Sequence, residues 1–60
     1  MNLVRGGRYN FKYQQEKLSY LGKDGAWHQF EKVGIQGVWA EILDTDLHLI
    51  EETKKELQND

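Results

Sequence analysis

Neither cysteine nor proline occurs among the 60 residues, and each absence removes options. Without thiols the chain can form no disulfide and offers no thiolate metal site, so two usual reinforcements of a very small domain are missing. Without proline, glycine carries most of the punctuation. No apolar run approaches the roughly 20 residues that span a bilayer. Leu3 and Val4 run directly into Arg5, Gly6 and Gly7, where a secretion signal would continue as an apolar stretch. The expectation is a soluble, cytoplasmic protein with no membrane partner. A chain this short buries only about 60% of the surface its unfolded form exposes. That points to one domain over residues 1–60, a small core, no deep pocket and therefore no small-molecule substrate or cofactor.

The net charge is −2, but the two signs are unevenly placed. Residues 1–32 hold Arg5, Arg8, Lys12, Lys17, Lys23 and Lys32 against Glu16, Asp24 and Glu31. Residues 33–60 hold Lys54 and Lys55 against Glu41, Asp44, Asp46, Glu51, Glu52, Glu56 and Asp60. One reading is a basic face for nucleic acid or an acidic protein set against an acidic tail. The other is that a small barrel interleaves its strands in space and mixes these charges.

Gly6-Gly7, Gly22, Gly25, Gly34 and Gly37 divide the chain into four runs of strand length, rich in aromatic and branched residues: Arg8 to Tyr13, Lys17 to Leu21, Trp27 to Lys32 and Val38 to Leu43. The first alternates, with Tyr9, Phe11 and Tyr13 on one face and Arg8, Asn10 and Lys12 on the other. Between the second and third runs, Lys23-Asp24-Gly25 predicts a three-residue hairpin loop with Gly25 left-handed, setting Leu18 opposite Phe30, Tyr20 opposite His28 and Leu21 opposite Trp27. If the Val33 to Gly37 loop then closes on Lys32 and Val38, Phe30 faces Ala40 and His28 faces Ile42. Leu18, Tyr20, His28, Phe30, Val38, Ala40 and Ile42 then share an inner face. Leu21, Trp27, Trp39 and Leu43 share the outer one, because parity along a strand has period two.

The C-terminal part reads two ways. Leu47, Leu49 and Glu51 alternate as a fifth strand would, after an Asp44-Thr45-Asp46 corner, leaving residues 53–60 as a polar, flexible tail. Alternatively Asp46 caps a helix that places Leu47, Ile50 and Leu57 on one side, pairs Glu51 with Lys55 and covers a four-stranded antiparallel meander. The fold class expected is all-β, a small five-stranded barrel, since closing a sheet largely removes edges that invite aggregation.

The succession Gly-Arg-Tyr-Asn-Phe, Leu-Ser-Tyr-Leu-Gly-Lys, Trp-His-Gln-Phe and Val-Trp-Ala-Glu-Ile-Leu, over roughly residues 3–52, resembles the strand order of small SH3-like barrels. More loosely, it is similar to short proteins encoded by bacterial prophages and other mobile elements. The resemblance implies an SH3-like fold and an accessory, binding kind of role. The Ala-Leu-Tyr-Asp-Tyr-like opening and Pro-Ser-Asn-Tyr-like closing segments of peptide-binding SH3 domains are missing, so no functional residue carries over.

No motif has catalytic, metal or phosphate-binding spacing. His28 and His48 are the only imidazoles. Parity sends His28 inward against Tyr20 and Ile42, as a histidine bonded to backbone or to a tyrosine hydroxyl, and His48 beside Asp46 reads as solvated. Ser19, Thr45 and Thr53 sit in no nucleophile context. Asp44 and Asp46 read as acceptors stabilising a corner, and Gly6-Gly7 as a bend admitting the first strand. The expectation is a non-enzyme without a metal.

Two functions remain. A protein-interaction module or homodimer would use a contiguous outer patch of Leu21, Trp27, Trp39 and Leu43, with affinity only weakly sensitive to salt; tryptophan is prominent among residues that dominate binding energy. The competing possibility is that the C-terminal segment folds over this patch. A nucleic-acid binder would use Arg5, Arg8, Lys12, Lys17 and Lys23 with Tyr9, Tyr13 or Tyr20 as stacking platforms, and would weaken steeply with salt.

Overall fold

The computed structural model describes residues 2–53. It is all-β: strands Arg8–Phe11 (β1), Leu18–Asp24 (β2), Trp27–Lys32 (β3), Ala40–Leu43 (β4) and Ile50–Glu52 (β5), with a 3-10 helix over Asp44–Leu49. They form one antiparallel sheet in the order β4-β3-β2-β1-β5. The fifth strand therefore pairs with the first, and the 3-10 helix leads from one end of the sheet order to the other. Among the described residues no helix is long and apolar enough to cross a membrane.

Alternation within the strands builds the core. Tyr9 from β1, Leu18 and Tyr20 from β2, Phe30 from β3, Ile42 from β4 and Ile50 from β5 are buried together, and Leu3, Phe11 and Leu47 pack against them. Phe30 is fully enclosed, with the Tyr20 and Tyr9 rings at centroid distances of 5.3 and 6.2 Å. Pairing of Phe30 with Ala40 and of His28 with Ile42 is as the sequence predicts.

The hairpin differs from expectation in where its odd residue sits. Asp24 pairs with Trp27, so the turn is Gly25-Ala26; Gly25 has φ +62° while Ala26 keeps a negative φ. Positive φ at the first central position alone is the pattern of a type II′ turn, whose twist matches that of paired strands. The extra residue lies inside β2 instead, as a bulge at Leu21, and beyond it Tyr20 faces Phe30 and Leu18 faces Lys32. Gly22, with φ +131°, supplies the backbone freedom there, and the Arg5 guanidinium lies where a β-carbon would point, with Nε 3.0 Å away.

Three further expectations are corrected. β1 stops at Phe11, so Tyr13 leaves the strand and is 96% exposed. β4 begins only at Ala40, and Val38 is exposed in the preceding loop instead of on the inner face. After Asp44 the expected fifth strand forms but starts later, at Ile50 instead of Leu47, because residues Asp44–Leu49 make a 3-10 helix; with Ile50 anchored in the core, the alternative helix starting at Asp46 over a four-stranded meander is excluded. Thr53, assigned to the tail, is tied down, with its N–H donating to the Arg8 carbonyl and its hydroxyl to Asn10 Oδ1. The rest of that tail, Leu57 included, lies outside the described residues.

Candidate functional site

Strand parity fixes what β3 and β4 present to solvent. His28 and Phe30 turn inward with Ala40 and Ile42, so Trp27 and Gln29 turn outward opposite Leu43 and Glu41. Trp39 immediately precedes β4, its N–H donating to the Phe30 carbonyl at 2.7 Å. Both indoles lie outside the core, Trp27 at 44% and Trp39 at 43% exposure, while Leu43 and the bulged Leu21 are half-buried. Of the four residues expected to form one patch, Trp27 and Leu43 are directly paired. Trp27 and Leu43 occupy one end of the ladder and Trp39 the other, and between them Gln29 Nε2 donates to Glu41 Oε2 at 2.7 Å.

The Trp39 end is enlarged by residues that parity reasoning missed. Val33, Ile35 and Val38 are all exposed in the β3–β4 loop, whose residues 33–39 carry no charge. The loop is held in shape: Val33 N–H donates to the Lys17 carbonyl, Ile35 N–H to the Lys32 carbonyl, and Gly37 N–H to Glu31 Oε2 at 2.9 Å. Lys32 Nζ stands 5.4 Å from the centroid of Trp39, within cation–π range. The signal in the sequence was the run Val-Gly-Ile-Gln-Gly-Val, whose glycines take φ +94° and +102°.

The fold separates two of the tyrosines suggested for nucleic acid from the basic residues in accessibility. Tyr9 and Tyr20 are core residues, so neither is a stacking platform. The Tyr9 hydroxyl instead accepts the Val4 N–H at 2.9 Å. Lys23 is committed to Asp44 Oδ2 at 2.9 Å. Arg5 lies over Gly22, and Arg8 donates to the Gly6 carbonyl. Tyr13 and all five basic residues, Arg5, Arg8, Lys12, Lys17 and Lys23, are exposed.

A chain of polar groups crosses the inner rim. Tyr20 Oη and His28 Nδ1 are 2.8 Å apart, His28 Nε2 bonds to Asp44 Oδ1, and the other Asp44 oxygen accepts from Lys23. A carboxylate only accepts, so Nε2 carries a proton; in the neutral ring Nδ1 is then the acceptor for the Tyr20 hydroxyl. The Lys23 hydrogen bond, followed by that of His28, holds the Asp44 carboxyl below its usual range, against a smaller opposing effect of burial. Hydroxyl, imidazole and carboxylate in series also describe an activated nucleophile, but this hydroxyl belongs to a core tyrosine packed edge-on to Tyr9. The series joins β2 and β3 to the 3-10 helix. His48, on that helix, is exposed, its Nδ1 3.1 Å from the Thr45 carbonyl. Among the described residues no three His, Cys, Asp or Glu side chains converge to hold a metal ion.

Fold and surface together define a small all-β domain with an inward-facing polar chain and two exposed indoles. Comparison with known proteins finds no matching family model, no matching curated protein and no matching solved structure.

Proposed function

We propose that the chain is a non-catalytic, cytoplasmic protein-interaction module that binds through the outer side of the β3–β4 ladder, with Trp27 and Leu43 at one end and Trp39, Val33, Ile35 and Val38 at the other. One observation carries this reading: two indoles, each more than two-fifths exposed, project from a domain in which, among the described residues, six apolar side chains are buried in the core. Large aromatic side chains left outside so small a core are the residues that dominate binding energy when a partner covers them. The bonded frame of the loop adds to this, since a surface already ordered loses less entropy on docking. The nucleic-acid reading loses support because Tyr9 and Tyr20 are interior and Lys23 is paired.

The test is site-specific photo-crosslinking with a benzophenone amino acid in place of Trp39, of Trp27 and, as control, of the exposed Tyr13. Discrete protein adducts from positions 27 and 39 but not from 13 are expected. Adducts to nucleic acid only, or equal labelling from all three positions, would overturn the proposal.

A further inference from the structure

The tip of the β2–β3 hairpin reads Lys23-Asp24-Gly25-Ala26, and the chemistry of an aspartate followed by a glycine is not used by the interaction surface. Asp24 forms the last rung of the ladder, opposite Trp27, and both turn residues beyond it are exposed. Gly25 has φ +62°, and a β-carbon there would meet no atom within 4 Å. Its amide nitrogen therefore has no side chain beside it, and among the described residues its N–H donates to no protein acceptor.

We infer that Asp24 is a site of self-modification, isomerising to isoaspartate through a cyclic imide formed with Gly25. The Gly25 amide nitrogen gives up its proton and attacks Asp24 Cγ. A new N–C bond forms, and the carboxyl hydroxyl leaves as water. Water then adds to the imide carbonyl on the Cα side and breaks the original Asp24–Gly25 peptide bond. The chain afterwards runs through Cβ and Cγ of residue 24, which carries a free α-carboxylate. Water is lost in the first step and regained in the second, so mass and charge are conserved and no oxidant or reductant takes part. The site lies beyond the interaction reading and does not depend on it.

The fold selects this aspartate. Ring closure turns Asp24 out of the extended backbone, so the last rung must open. That rung ends the ladder, where local opening is least costly. The side-chain tie next to it is the Lys23–Asp44 pair, with members 44% and 58% exposed, and exposed ion pairs hold weakly. Asp44 and Asp46 are placed against the same reaction, since both lie in the 3-10 helix. Both Asp44 oxygens are engaged, by Lys23 and by His28, and branched Thr45 follows. Asp46 is followed by Leu47, which packs against the core. Isoaspartate lengthens the backbone at the turn. Because turn length sets hairpin register, the product loses the rung that holds Trp27.

The test is incubation of the full chain at neutral pH, followed by peptide mapping and labelling with an isoaspartate-specific carboxyl methyltransferase. Label should accumulate at residue 24 and not at 44 or 46, and Asp24→Glu should abolish it. Asp44→Ala, which releases Lys23 and leaves the reacting dipeptide intact, should speed the reaction about two-fold. Label reaching Asp44 or Asp46 as fast as Asp24 would overturn the inference. So would a native chain that stays unlabelled while the urea-unfolded chain reacts at residue 24, because the closed hairpin would then protect the site. A rate at residue 24 unchanged by Asp44→Ala would overturn the opening step.

Discussion

His28, buried on β3, bonds through Nε2 to Asp44, the first residue of the 3-10 helix, 16 positions along the chain. With Tyr20 on the other ring nitrogen, the imidazole ties the start of the chain's return path, from β4 toward β5, to the central hairpin.

Replacing the imidazole therefore removes more than a side chain. His28→Ala opens a space in the rim and strips partners from Tyr20 and Asp44, and is expected to cost about 2–3 kcal/mol. Tyr20→Phe keeps the packing and loses only the hydroxyl, for about 1–2 kcal/mol. Urea denaturation should rank the variants in that order, and equal stabilities would show that the polar chain is incidental.

The lowered Asp44 pKa sets the sign of an acid effect. A carboxyl held lower in the folded state than in the unfolded one adds stability that is complete above its unfolded pKa and is lost as pH falls through the folded value. Stability should thus decline through the acidic carboxylate range. Asp44→Asn should flatten that part of the profile, and so, to a lesser degree, should Lys23→Met, since the Lys23 hydrogen bond is the largest cause of the shift. A wild-type profile unchanged by Asp44→Asn would contradict the assignment.

Two glycines with positive φ should respond unequally. A β-carbon at Gly25 meets no atom within 4 Å, whereas at Gly22 it meets the Arg5 guanidinium. Gly25→Ala should cost about 1 kcal/mol from the left-handed backbone alone. Gly22→Ala should cost about 2–3 kcal/mol, because strain and displacement of Arg5 add. Adding Arg5→Ala should recover only part of the Gly22→Ala loss, since the backbone conformation remains. Thermal or urea unfolding of the three variants decides this.

The tyrosines separate core from surface. Tyr9→Phe leaves the Val4 N–H without its partner and should cost about 1 kcal/mol, whereas Tyr13→Ala, at a residue 96% exposed, should change stability by no more than about 0.5 kcal/mol. If the protein uses no base stacking, fluorescence anisotropy with single-stranded oligonucleotides should be the same for wild type and Tyr13→Ala across a salt series. Binding that weakens steeply with salt and is lost on Tyr13→Ala would revive the nucleic-acid reading.

Much of the sheet was legible because apolar alternation survives a misplaced turn. The sequence reading put the odd residue at Gly25 and paired Tyr20 with His28; the structure puts it at Leu21 and pairs Tyr20 with Phe30. The two registers differ by two residues in that part of the hairpin, so every side chain keeps its face. Leu18, Tyr20, His28, Phe30 and Ile42 are inward in both. Local pattern did not reveal Asp44 as a partner of His28, because that contact depends on where the 3-10 helix delivers a residue distant in sequence. Nor did it reveal the exposed Val33, Ile35 and Val38: valine and isoleucine read as strand residues, and here two glycines in left-handed conformations hold them in a loop.

The central claim is that both indoles stand outside the core, open to solvent. Acrylamide quenching of Trp27→Phe and Trp39→Phe, each leaving one tryptophan, measures this directly in dilute protein. The remaining indole should be quenched substantially in both variants and to nearly the same degree, in line with exposures of 43% and 44%. An indole shielded from acrylamide until urea unfolds the chain would place it in the interior and contradict the proposed surface.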